Sequence, residues 1–122
     1  MADAPFPTFV IVICFVSGPV LIAAGIPLWL RRVPPNAFYG VRFRSTLSDE
    51  GVWYETNAIA GRNLVGIGAG YLALLTAALV FGRSWSMPIR LLGPTVILVV
   101  ALIINTIVLS AAGARLLAAR GE

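Results

Sequence analysis

The chain has 122 residues, room for one domain, with 59% apolar residues, 11% charged residues and a formal net charge of +4. A soluble domain carries about 45–50% apolar and about 25% charged residues; a water-soluble fold this small has too few charges to cover this much apolar surface. The nine basic residues are all arginine and lie thinly between apolar blocks, which excludes the one-sided basic patch of a nucleic-acid binder.

Three stretches are long enough to cross a bilayer, so residues 1–122 read as a single all-α integral membrane domain. The first span covers about residues 9–30, from Phe9 to Leu30. At ~1.5 Å per residue it reaches ~33 Å, against a hydrocarbon core of ~30 Å. It is uncharged and preceded by Asp3, Pro5 and Pro7 rather than by a positive region. That pattern reads as a retained anchor, not a cleaved signal. Pro19 and Pro27 remove backbone donors and predict a kinked helix packed against neighbours that satisfy the freed carbonyls. Cys14 is a lone thiol and reads as a small buried hydrophobe.

A long first loop follows, residues 31–63. Arg31 and Arg32 close the first helix, where cations complement its dipole, and Pro34-Pro35 stops it. Asn36 to Gly40 reads as a turn, and Val41 to Arg44 as either a short extended piece or an irregular one. Ser48 is the expected N-cap of the next helix, with Asp49 and Glu50 in its first turn; Thr46 with Asp49 is an alternative capping box. Asp49, Trp53, Asn57 and Gly61 then share one helical stripe. This predicts an amphipathic helix at the membrane interface, with Trp53 and Tyr54 at headgroup level, running into the second span and free to bend at Gly61.

The second span covers about residues 64–82. Its Gly66 and Gly70 form a GxxxG, extended by Ala73 and Ala77, a stripe that lets another helix approach closely. Packing within the three-helix bundle and a homodimer seam are the two readings. The third span covers about residues 91–114, with Pro94 in its first turn. Asn105 is its one strongly polar residue and is expected to bond to another helix. Arg31, Arg32, Arg42, Arg44 and Arg62 in the first loop, with Arg115 and Arg120 in the tail, outweigh Arg83 and Arg90 in the second loop. The positive-inside rule therefore puts the N-terminus outside and the first loop and C-terminus in the cytoplasm.

Candidate chemistry concentrates in the first loop. Asn36, Gly40, Arg42, Arg44, Asp49, Glu50, Trp53 and Asn57 form a polar cluster with two readings. In one it locks the loop structurally, with Arg42 and Arg44 paired to Asp49 and Glu50. In the other, Asn36, Arg42, Trp53 and Asn57 line a shallow interfacial cavity for a peptide or lipid headgroup. Catalysis is not expected. The chain has no histidine, the adjacent Asp49 and Glu50 point about 100° apart on a helix, and no metal-ligand or cofactor motif is present.

The run from Asn36 to Gly61 resembles the SdpI family of bacterial membrane proteins, named for the immunity protein against a sporulation-delaying toxin. The resemblance rests on Asn36, Phe38, Gly40 and Arg42, then Thr46, Asp49-Glu50, Trp53, Asn57 and Gly61, flanked by an apolar helix on each side. It covers roughly residues 20 to 85. It implies a multi-pass protein of the bacterial cell (inner) membrane that confers immunity or resistance to a membrane-active peptide toxin through loop and bundle. The alternatives are a structural subunit of a larger membrane complex and a lipid-handling or transport protein. The expected partners are the lipid bilayer and either a peptide toxin, a membrane-protein partner or a second copy.

Overall fold

The computed structural model describes residues 6–121; Asp3 and Pro5 of the expected N-terminal flank lie outside them. Among the described residues the regular structure is entirely helical. It comprises α1 (Thr8–Trp29), a short α2 (Arg44–Ser48), α3 (Glu50–Phe81) and α4 (Met87–Arg120). Three of these, α1, α3 and α4, are long and apolar enough to cross a membrane, so the protein is a multi-pass membrane protein.

The helices outrun the apolar stretches from which they were predicted. At ~1.5 Å per residue, the 32 residues of α3 reach ~48 Å and the 34 of α4 ~51 Å, well beyond a ~30 Å hydrocarbon core. The expected interfacial helix is therefore not a separate element: it is the first third of α3, and Gly61 does not interrupt it. The cap is Asp49 rather than Ser48. The Asp49 carboxylate accepts from the Val52 N–H at 3.0 Å, while the Ser48 hydroxyl turns back to the Arg44 carbonyl. α4 starts earlier than expected because Pro88 takes the tolerated first-turn place, which leaves Pro94 inside the helix.

α3 is the central helix. α1 runs antiparallel along its membrane half, and α4 runs antiparallel along its whole length. The pairs Tyr71–Thr95, Asn63–Asn105 and Asp49–Arg120 mark the α3/α4 register from one end to the other. Cys14 of α1 joins α4 through Thr95, Sγ to Oγ1 at 3.8 Å, within an apolar cluster of Tyr71, Leu75, Leu91 and Leu98. Beyond the end of α1, the loop and α2 cover the protruding part of the hairpin. α2 seats on α4 at Gly113, where a Cβ would come within 2.6 Å of the Ser45 hydroxyl oxygen.

The α1/α3 contact is made by glycines, but not by the expected pair. A Cβ at Gly25 or Gly61 would run into the partner helix's backbone carbonyl, and one at Gly68 would lie 2.7 Å from the Gly18 carbonyl oxygen. Gly66 and Gly70 have no atom of another element within 4 Å of a Cβ position. At 100° per residue they sit on the opposite side of α3 from Gly61 and Gly68. They do not pack the bundle; they face outward.

Candidate functional site

Most of the polar loop cluster is consumed in holding itself together. Asn36 closes the turn: its Nδ2 donates to the carbonyls of Pro34 (2.8 Å) and Tyr39 (2.9 Å), and its Oδ1 accepts from the N–H groups of Phe38 and Tyr39. Gly40 takes φ = +115°, a conformation that suits glycine, and brings the chain flat against Trp53 and Asn57. Asn57, only 2% exposed, then clamps Val41. Its Oδ1 accepts from the Val41 N–H, and its Nδ2 donates to the Trp53 carbonyl at 3.0 Å and to the Val41 carbonyl at 3.4 Å. Trp53 is fully buried, and its indole N–H donates to the Val33 carbonyl at 2.8 Å. It is a core residue of the loop end, not a headgroup anchor.

Thr46 completes this knot. Its hydroxyl accepts from the Phe43 N–H at 2.9 Å and lies 2.8 Å from the Val41 carbonyl oxygen. Tyr39 folds back along α1 and donates its phenol O–H to the Ala24 carbonyl. Burial pushes the Tyr39 phenol above its ordinary pKa of 10, so it remains a donor throughout the physiological range. The buried amides and indole have their partners inside the loop. They offer no free edge to a ligand.

The arginines behave differently. Arg42 and Arg44 are exposed and pair with neither Asp49 nor Glu50. The ion pair of Asp49 is with Arg120, at 3.6 Å from the end of α4, where helix packing brings a cation that local sequence could not reveal. Both partners are partly exposed, so the pair contributes about 0–1 kcal/mol.

Two concavities lie near Arg62. The first is a lateral groove of about 580 Å³ between α3 and α4, lined by Arg62, Asn63, Gly66, Ile67, Ala101, Ile104, Asn105 and Val108. Besides Arg62 at its edge, its polar lining is one interhelical bond, Asn63 Nδ2 donating to Asn105 Oδ1 at 2.8 Å. Asn63 sits beside Arg62 at the edge of the apolar stretch, and only the α3/α4 register identifies it as the partner of Asn105. The groove continues past Gly70 toward Pro94 and Ile97.

The second concavity is a cleft of about 260 Å³ at the end of α1, lined by Trp29, Arg31, Glu55, Ala58, Ile59 and Arg62. Arg31 is held there by a left-handed helix stop. The Arg31 N–H donates to the Leu28 carbonyl at 3.1 Å and the Arg32 N–H to the Pro27 carbonyl at 3.0 Å, with Arg31 at φ = +58°. That position normally takes glycine, and a side chain there costs about 1–2 kcal/mol.

A model of the SdpI/YfhL protein family matches residues 32–112, from the end of α1 through the loop, α3 and most of α4. No curated protein and no solved structure matches the chain. The family match spans most of the sequence, and the chain belongs to the SdpI/YfhL family.

Proposed function

We propose that this SdpI/YfhL family member protects a bacterial cell membrane by binding a membrane-active peptide toxin in the lateral groove between α3 and α4. The groove is the observation that carries this reading. A peptide that inserts as a helix satisfies its own backbone and gains most from van der Waals contact with small residues. Gly66 and Gly70 supply bare backbone facing outward, with Ala101 across the groove. Asn63 and Asn105 use one donor and one acceptor on each other. The Asn63 Oδ1 and Asn105 Nδ2 have no protein partner among the described residues, and they stand ready for a polar group on the peptide.

In this reading the loop cluster is the lock that fixes the α3/α4 hairpin, and the groove is the binding surface. The role is binding rather than catalysis, with no cofactor. This reading puts the first loop and the α4 terminus in the cytoplasm, the side that the arginine distribution favours.

The test is a protection assay. Cells lacking the gene become sensitive to a member of a panel of membrane-active peptides, and the wild-type gene restores resistance. The double variant Gly66→Leu, Gly70→Leu accumulates normally in the membrane but does not protect. Full protection by that variant overturns the groove as the binding surface. The competing occupant is a second copy of the chain; crosslinks between two copies through Gly66 positions, with no crosslink to peptide, decide for it.

A further inference from the structure

The cleft at the end of α1 is not used by the peptide-binding reading, and its chemistry differs from that of the groove. Its charged lining is two cations and one anion: Arg31 from the α1 stop, and Arg62 and Glu55 from α3. Glu55 and Arg62 lie seven positions apart, two helical turns on one face, which separates their Cα atoms by ~10 Å along the axis. Neither makes an ion pair among the described residues. A carboxylate between two arginines on a compact surface would ordinarily be neutralised by one of them; here the charges are held apart across an open cleft.

Their order along α3 is informative. Arg62 borders the apolar stretch that begins at Leu64, and Trp29 stands at the matching end of α1, half-exposed as an interfacial aromatic. Glu55 lies farther from the hydrocarbon. Going outward from the bilayer, Arg62 comes first and Glu55 second, with Arg31 reaching in from the end of α1 near the level of Glu55, since Gly25 lies against Gly61 and Gly18 against Gly68. A zwitterionic aminophospholipid presents the complementary order: a phosphodiester next to the glycerol, then a terminal ammonium.

We propose that this cleft is a binding site for the headgroup of a phosphatidylethanolamine-type lipid in the loop-side leaflet. Arg62 donates to the phosphodiester oxygens with Arg31 reaching them from α1, Glu55 accepts from the primary ammonium, and Trp29 with Ile59, which lie between Arg62 and Glu55, packs on the carbon chain of the headgroup. The left-handed Arg31 fits this assignment. A glycine would close the same helix stop without strain, and the arginine places a guanidinium over the cleft. The inference shares Arg62 with the groove and otherwise uses none of its residues, so Glu55 and Arg31 test it apart from peptide binding.

The test is a lipid titration of the purified full chain in mild detergent, read by native mass spectrometry. Phosphatidylethanolamine, phosphatidylcholine and phosphatidylglycerol carry the same acyl chains, and inorganic phosphate is the soluble competitor. The wild type prefers phosphatidylethanolamine to phosphatidylcholine by roughly tenfold, the scale of one charge-assisted hydrogen bond. Glu55→Gln abolishes that preference while phosphatidylglycerol still binds. Arg31→Gly weakens all three lipids yet raises the Tm, which separates lost binding from lost folding. Equal binding of phosphatidylethanolamine and phosphatidylcholine, or a preference that survives Glu55→Gln, overturns the proposal. Strongest binding of phosphatidylglycerol, or displacement of lipid by millimolar phosphate, also overturns it, in favour of a general anion site.

Discussion

On one side of α3, Gly61 and Gly68 meet the backbone of α1 at Gly25 and Gly18; on the other, Gly66 and Gly70 meet nothing. The residue type is the same, and the outcome differs because of spacing. Gly18 and Gly25 lie seven apart, as do Gly61 and Gly68, so each pair returns to nearly the same face after two turns. On antiparallel helices the two pairs coincide. The fold consumes that seam. The four-residue GxxxG faces away from it and is left for something outside the monomer.

This contrast can be broken at either face. Gly61→Leu should have the largest effect, because the neighbours are backbone atoms that cannot yield. It should destabilise by more than about 3 kcal/mol, the upper end for overpacking, and show as loss of the monodisperse species in detergent chromatography. Asn57→Ala comes next. It leaves the Val41 N–H without its acceptor in a buried site, at about 1–3 kcal/mol. Hydrogen exchange should rise across residues 33–43 while the membrane half of α3 stays protected.

Asn105→Ala should cost about 0.6 kcal/mol, and at most about 1.7, because an interhelical bond in lipid is weak. A double-mutant cycle with Asn63→Ala measures it by chemical unfolding. Gly66→Leu with Gly70→Leu should change stability by no more than about 0.5 kcal/mol, since no neighbouring element is in the way. A large loss of stability in this last variant would mean that the open face already has an occupant in the membrane.

The sequence carried the three spans, the helix that runs from the loop into the second of them, and the residues of the loop knot. Hydropathy placed the span ends at residues 64 and 91 because it counts charge. α3 continues back to Glu50 because Asp49 caps that end and the loop and α2 cover it; α4 begins at Met87 with Pro88 in its first turn and no side-chain cap. Trp53 read as an interfacial aromatic because composition cannot show that the Val33–Phe43 segment folds over it. The expected pairing of Arg42 and Arg44 with Asp49 rested on nearness in sequence, and the register of α4 supplied Arg120 instead. Asn105 announced itself by being polar in an apolar run, but Asn63 and the cleft at Arg31 had no such contrast with their neighbours. Their signal is three-dimensional.

The Asp49–Arg120 contact also has a consequence for the order of events during synthesis. Asn57 follows its partner Val41 by 16 residues, so the knot can close while the second span is still emerging. Asp49 precedes Arg120 by 71 residues (120 − 49), so the start of α3 stays without its ion pair until α4 has been threaded through the bilayer and returned. The nascent protein therefore carries a closed Val41–Asn57 knot on an unfinished hairpin, with α2 still without its seat on α4 at Gly113, and the groove between α3 and α4 does not exist until translation has passed both of its walls.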